Sequence, residues 1–473
     1  MLDPFLALAG VECKKARRCN VTAMNIAELR SHITGQRERI FRDLAEIVAF
    51  DSVHDEPDHE ADAAGAAEWT KQALIDAGLD VTAHLTADGS TALIGRKAPA
   101  EGMPTVLLYS HHDVVPAGDH ANWTTPPFEL TERDGRWYGR GAADCKGNLV
   151  MHLAALRAVE QAGGTGLGLT VLIEGSEERG GEGLDQLLKD QPELFRADAI
   201  MIADSGNAAV GVPTLTTSLR GGGQVVVTVA TLRTPLHSGQ FGGAAPDAVA
   251  ALVRVLDSLR DEHGRTVIDG VDTTATWQGE PYDPETFRKD AGILDGVAIM
   301  GTDDDAPADM VWARPAITTT GFTSTPVSEA VNAVPATAQA KLNVRVPAGL
   351  DADDVMDKLV AHLRAHTPWG AHVDVEVQEK NQPFSTDTSG PALGLLRRCL
   401  AEAYDADEAV TVGSGGSIPL TLALQEAFPE AEIALYGVEE PQSTIHSPDE
   451  SVDPAEIIHI ATAEAAFLLS YGK

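Results

Sequence analysis

At 473 residues the chain exceeds the length that one hydrophobic core usually serves, so two domains are expected. Its 43% hydrophobic and 22% charged residues describe a folded globular protein and exclude a disordered, fibrous or membrane-embedded one. With 35 Lys plus Arg against 71 Asp plus Glu the formal charge is -36, which repels phosphate backbones and anionic lipid, so neither nucleic acid nor a membrane is an expected partner.

Residues 1–24 hold a short apolar run, PFLALAG, followed by Lys14, Lys15, Arg17 and Arg18. A secretory signal carries its basic residues before the apolar run, so this segment is read as an extension and kept out of the fold. No apolar stretch reaches the ~20 residues that span a bilayer. The four cysteines, Cys13, Cys19, Cys145 and Cys399, are too few and too scattered for a disulfide framework, and a reducing cytoplasm is the expected compartment.

From Asn25 to about Gly78 the apolar spacing is helical, most clearly in IAELRSHITGQRERIFRDLAEIVAF. Short apolar runs closed by polar or Gly signals then predict buried strands: TVLLYS (105–110), LTVLIEG (169–175), AIMIA (199–203) and EIALYGV (432–438). A helix over 149–163 lies among them, and the alternation predicts an α/β architecture with helices on both faces of the sheet.

The middle of the chain has another order: strand 224–230, helix 246–264, an irregular acidic stretch over about 270–318, strand 336–346, helix 351–366 and strand 372–378. This is a ferredoxin-like β-α-β-β-α-β unit with one strand not located. The expected organisation is therefore a catalytic domain in two parts, 25–213 and 384–473, interrupted by an inserted lid or dimerisation domain over 214–383.

The polar residues that follow the strands are the candidates for chemistry, because ligand sites of open α/β sheets form at the carboxyl edge. His111 follows 105–110, Glu177 and Glu178 follow 169–175, Asp204 follows 199–203, and His446 lies beyond 432–438. Singly these are weak signals: Glu pairs usually line a solvated surface, and an Asp after a strand is more often a helix cap. Two imidazoles and three carboxylates, however, are what two neighbouring zinc ions require if one carboxylate is shared.

The strings YSHHDVVPAG, GRGAADCKGN, EGSEERGG, IADSG, HSGQFGG, VNAVPA, SGGSIP and IHSPDE resemble the co-catalytic zinc peptidase family that holds carboxypeptidase G, acetylornithine deacetylase, peptidase V and carnosinase. The resemblance runs from about Asn25 to the C-terminus. It implies two Zn²⁺ per subunit, with Mn²⁺ or Co²⁺ as substitutes: His111 and Asp204 on one, Glu178 and His446 on the other, Asp144 bridging. It implies Glu177 as the general base toward the attacking water, and Asp113 as the carboxylate that orients His111.

The resemblance further implies that His237 reaches across a homodimer interface in the inserted domain to stabilise an oxyanion. It assigns Asn332, Arg345 and the turn Gly415, Gly416 and Ser417 to the substrate, Arg345 and the turn taking its carboxylate end. Cys145, next to Asp144, is read as a small buried side chain. Asp rather than Glu at position 204, together with the segment DSLRDEHGRTVIDG, resembles the carnosinase-like dipeptidase branch, so a small peptide is the expected substrate. The rival readings are an N-acyl amino acid deacylase or amidase on the same scaffold and a non-catalytic binding protein. A serine hydrolase would need a G-x-S-x-G nucleophile after a predicted strand, and none is present.

Overall fold

The computed structural model describes residues 25–416 and 418–473; the expected extension over 1–24 and the substrate residue Ser417 lie outside the described residues. Among these, nine strands build one mixed sheet. Its order is Asp80–Leu85, Thr91–Lys97, Gly168–Glu174, Thr105–His111, Ala199–Ala203, Glu432–Tyr436, Thr214–Leu219 and Phe384–Ser385, with Val410–Ser414 also paired to Thr214–Leu219.

The four central strands, Gly168–Glu174 through Glu432–Tyr436, are parallel, as their continuous apolar runs predict. Both faces are buried. Val106 and Leu108 pack into the core under helices Lys146–Gln161 and Pro454–Ser470, while Leu107 and Tyr109 face Leu184, Leu188 and Leu424 on the other side. Register aligns the strand ends: His111 lies opposite Glu174, Tyr109 opposite Ile202, and Tyr436 opposite Ala203. One edge of the sheet therefore collects the residues that follow each run.

Helix Lys146–Gln161 is apolar nearly all round and is buried nearly all round, because it is covered by the sheet, by Arg37–Val48 and by Pro454–Ser470. Its one buried imidazole is satisfied on both nitrogens: His152 Nδ1 is 2.7 Å from Glu464 Oε2, and Nε2 is 3.1 Å from the Tyr109 carbonyl. Glu464 also accepts from the Tyr436 hydroxyl. A closed polar network of this kind costs little, whereas breaking it exposes a desolvated group.

The inserted unit is the expected ferredoxin-like one. Its antiparallel sheet runs Ala316–Thr323, Thr337–Val346, Gly221–Ala230, His372–Asn381. Val225, Val227, Leu342 and Val344 bury one face under helices Ala248–Asp257 and Ala352–Ala365, and exposed Gln339, Lys341, Asp374 and Glu376 leave the other face wet. The strand that the sequence did not locate is Ala316–Thr323.

Two boundaries differ from expectation. The helix expected over 246–264 ends at Asp257, because Asp261 accepts from the N–H groups of His263 and Arg265 and Gly264 takes φ +83, turning the chain back. Strand Thr214–Leu219 hydrogen-bonds into the large sheet, so the chain passes into the smaller sheet at Arg220. Glu464→Ala, which strips both His152 and Tyr436 of a partner, is expected to lower stability by about 3–5 kcal/mol, read as a fall in urea midpoint at unchanged m.

Candidate active site

Four of the five expected metal ligands sit where a strand or its return loop meets the carboxyl edge, and Asp144 joins them from the start of a helix. His111 is the last residue of its strand; Asp204 follows Ala199–Ala203; Glu177 and Glu178 open a single 3-10 turn after Gly168–Glu174. Asp144 lies just before helix Lys146–Gln161, and His446 takes φ +59 in the loop beyond Glu432–Tyr436.

These side chains form two clusters that share Asp144. His111 Nε2 is 3.2 Å from Asp144 Oδ1 and 3.2 Å from Asp204 Oδ1. His446 Nε2 is 3.0 Å from the other oxygen, Asp144 Oδ2, and 3.1 Å from Glu178 Oε2. Ligands at about 2.0–2.2 Å on a tetrahedral zinc stand roughly 3.3 Å apart, so both spacings fit a common ion. His111 Nε2 is buried and has no hydrogen-bond partner among the described residues, which is what a metal-directed nitrogen looks like. Cys145 Sγ adjoins the first cluster, but the residue is fully buried and its thiol donates to the Ala203 carbonyl at 3.1 Å.

Electrostatics agree with a cationic occupant. Although burial opposes it, the His111 and His446 imidazoles beside Asp144 hold it below its ordinary range. Burial raises Glu178 to about 7, and burial followed by the charge of Asp204 pushes Glu177 well up. Hydrogen bonds to Asp144 and Glu178 lift His446 to about 10. Carboxylates this crowded and this dry are relieved by nearby positive charge.

Asp113 ties the clusters together. His111 Nδ1 lies 3.1 Å from the Asp113 carbonyl oxygen and 3.3 Å from Asp113 Oδ1, and the carboxylate of this residue accepts the N–H of Glu177 at 3.2 Å and of Glu178 at 3.0 Å. It thus orients the imidazole and the Glu pair at once. Sequence reasoning missed Glu450, although it falls within the IHSPDE string. It is fully buried, accepts from Arg140 at 2.6 Å and from the N–H groups of Gly141, Ala143 and Asp144 at 3.0–3.1 Å, and so fixes the loop that presents Asp144.

A cavity of about 830 Å³ opens over the clusters; Glu177, Gly415, Gly416 and an unforeseen carboxylate, Glu439, line it. Arg345 lies near Arg220, whose guanidinium would touch a Cβ added at Gly415 at 2.8 Å. Burial, and secondarily Arg345, lowers Arg220 to about 10, and Arg220 Nε is buried without a partner among the described residues. Arg220 was not foreseen either; its only signal is a basic residue at the passage between the sheets. His237 and Asn332 are exposed and lie outside this cavity, side by side where short strands Leu236–His237 and Ala333–Val334 pair. Within one chain they do not join the site.

The model of Peptidase family M20/M25/M40 matches residues 107–470. The chain is 59% identical over 443 residues to the cysteinylglycine-S-conjugate dipeptidase of Corynebacterium striatum, covering 93% of this chain and 97% of that protein. It is 27% identical to the Cys-Gly metallodipeptidase dug1 of Schizosaccharomyces pombe, over 76% of this chain and 78% of that one. Its fold is similar to that of human carnosine dipeptidase 1, with a TM-score of 0.76 at 22% identity, covering 94% and 98% of the two chains.

Glu450→Ala leaves Arg140 buried without its partner and frees the backbone N–H groups of the Asp144 loop. It is expected to cost about 3–5 kcal/mol in chemical unfolding and to weaken divalent-metal affinity at least tenfold, measured by competition with a chromogenic chelator.

Proposed function

This chain belongs to Peptidase family M20/M25/M40, and on that premise we propose that it is a zinc dipeptidase hydrolysing the peptide bond of cysteinylglycine-type dipeptides. The observation that carries this reading is Asp144 giving one oxygen to each histidine cluster while Glu177 stays outside both. His111 and Asp204 would hold one zinc, His446 and Glu178 a second, with Asp144 shared. Two bound zinc ions supply an acidified water and a polarised substrate carbonyl.

Glu177 accepts the proton of the attacking water and returns it to the leaving amine, and its burial suits a carboxylate that must both take and give. Asp113 keeps Glu177 and His111 in mutual register through its bonds to the Glu177 N–H and the His111 ring. Arg220 and Arg345, with no carboxylate partner among the described residues, bind the substrate's C-terminal carboxylate beside the turn at Gly415 and Gly416. Glu439 and Asp204 take the free α-amino group, which favours a dipeptide over an N-acylated amino acid.

His237 and Asn332 act from a second copy, in a homodimer formed through the inserted domain. Their exposure at one short strand pair that does not line their own cavity supports this, as do the open edges of the smaller sheet. Cys145 and Cys399 are free and buried, in keeping with a reducing cytoplasm.

The zinc-loaded protein is expected to cleave free dipeptides and not their N-acetylated counterparts; the reverse preference assigns a deacylase instead. Glu177→Ala should retain bound metal by elemental analysis and lose about 10²–10⁴ in kcat, and chelation should abolish the activity. A mixture of His237→Ala and Glu177→Ala proteins should regain part of the activity that neither has alone; no regain argues against a shared site.

A further inference from the structure

The inserted domain carries a further set of metal-ligating side chains, Asp269, His362 and His366, and none of the three lines the cavity. The string HLRAH puts His362 and His366 four residues apart at the end of helix Ala352–Ala365, so both imidazoles leave the same face. Their rings lie 4.1 Å apart between centres and 23° from parallel. Two histidines at this helical spacing can hold one zinc ion between them. The third group, Asp269, arrives on the turn 268–271, which packs against that helix. Ile268 is buried in the domain core, and a Cβ added at Gly270, where φ is +80, would stand 3.8 Å from Lys358 Cε.

One nitrogen of each ring and one Asp269 oxygen lie within 4.8 Å of one another. His366 Nε2 is 2.8 Å and His362 Nδ1 is 3.3 Å from the same atom, Asp269 Oδ2. Hydrogen bonds fix which His362 nitrogen holds the proton. The Ser258 hydroxyl donates to the Val255 carbonyl at 2.7 Å, so it can only accept from His362 Nε2, 3.1 Å away. Nδ1 is therefore the bare nitrogen, and it accepts the Asp269 N–H at 3.1 Å. Its lone pair also faces Asp269 Oδ2 with no hydrogen between them, a repulsion that a shared cation removes. The 3.3 Å spacing is the one that two ligands take on a tetrahedral zinc.

The surroundings favour a cation. Burial, then the neighbouring His366, lowers His362, which keeps that ring neutral and able to ligate. The carbonyl end of the helix adds partial negative charge. His362 is 1% exposed, whereas Asp269 and His366 are 59% and 41% exposed, so an ion can enter from solvent and keep water on its remaining positions.

We propose that Asp269, His362 and His366 bind a divalent transition-metal ion, zinc or a neighbour of it, that staples the turn 268–271 to helix Ala352–Ala365. Two imidazoles and one carboxylate suit zinc, copper or nickel in preference to calcium or magnesium. The ion replaces the Asp269–His366 hydrogen bond and releases the Asp269 N–H to water, which the exposure of Asp269 permits. The stapled turn is the root of the stretch that carries Tyr282 and Trp312, stacked at 5.5 Å and lining the cavity. That stretch is held at its far side by the Glu280 N–H, which donates to the Thr411 carbonyl at 2.8 Å, and by Trp312 packed on Gly413. The staple stands whether or not the cavity cleaves dipeptides.

The test equilibrates untagged full-length protein with free Zn²⁺ stepped from about 1 µM to about 0.1 mM and counts bound zinc by elemental analysis. The wild type is expected to hold one ion more per chain than His366→Ala or Asp269→Ala, both at exposed positions. His372→Ala, which removes another exposed imidazole of this domain, should keep the wild-type count. Equal counts in the wild type and the two ligand variants overturn the proposal, and so does a matching loss in His372→Ala. Amide hydrogen exchange locates the ion: zinc should slow exchange over 266–275 about tenfold in the wild type and leave His366→Ala unchanged. No slowing in the wild type, or equal slowing in the variant, overturns the staple.

Discussion

Negative charge gathered at one buried point is the constraint around which this molecule is built. Asp144, Glu177, Glu178 and Asp204 meet two imidazoles at the carboxyl edge of the large sheet, with Glu439 in the same cavity. In a dry surrounding such groups repel one another and climb in pKa unless positive charge answers them. The fold supplies part of the answer through His111, His446 and the Arg140 held behind by Glu450. The donor set and its spacings call for divalent cations to supply the rest.

Holding that arrangement is the work of two carboxylates that are not in either metal cluster. Asp113 and Glu450 each spend their oxygens on backbone N–H groups of a neighbouring loop, the one at Glu177 and Glu178, the other at residues 141, 143 and 144. A side chain that binds main chain fixes where a loop's own side chains start, which is a stiffer constraint than packing alone. The loops at the sheet edge can therefore be irregular without being imprecise.

The inserted domain contributes shape rather than proton chemistry to its own chain's site. Its aromatic stretch closes part of the cavity and is bonded to the strand Val410–Ser414, while the short strand pair that carries His237 beside Asn332 does not line it. Arg220 stands at the junction where one sheet gives way to the other, so any movement between the domains would be felt at the Gly415 turn.

Much of this was legible in the sequence because the signals are local. An apolar run ended by a polar residue predicts a buried strand and its edge in one reading, and so 105–110, 169–175, 199–203 and 432–438 delivered His111, the Glu pair, Asp204 and the approach to His446. The Asp144 ligand and its bridging role rested on family resemblance, and the two-oxygen geometry came only with the fold. Other features depend on partners far along the chain. Ala316–Thr323 and Asp80–Leu85 are strands because of what they pair with, most of their residues being exposed or only half-buried. Glu450 is an anchor only because residues 140–144 arrive beside it, Arg220 is buried beside Arg345 without a carboxylate partner among the described residues only once the two sheets meet, and Trp312 joins Tyr282 in a wall resting on Gly413 only in the folded chain. Sequence determined which residues could carry the chemistry; long-range contact, invisible to any local pattern, decided which of them meet.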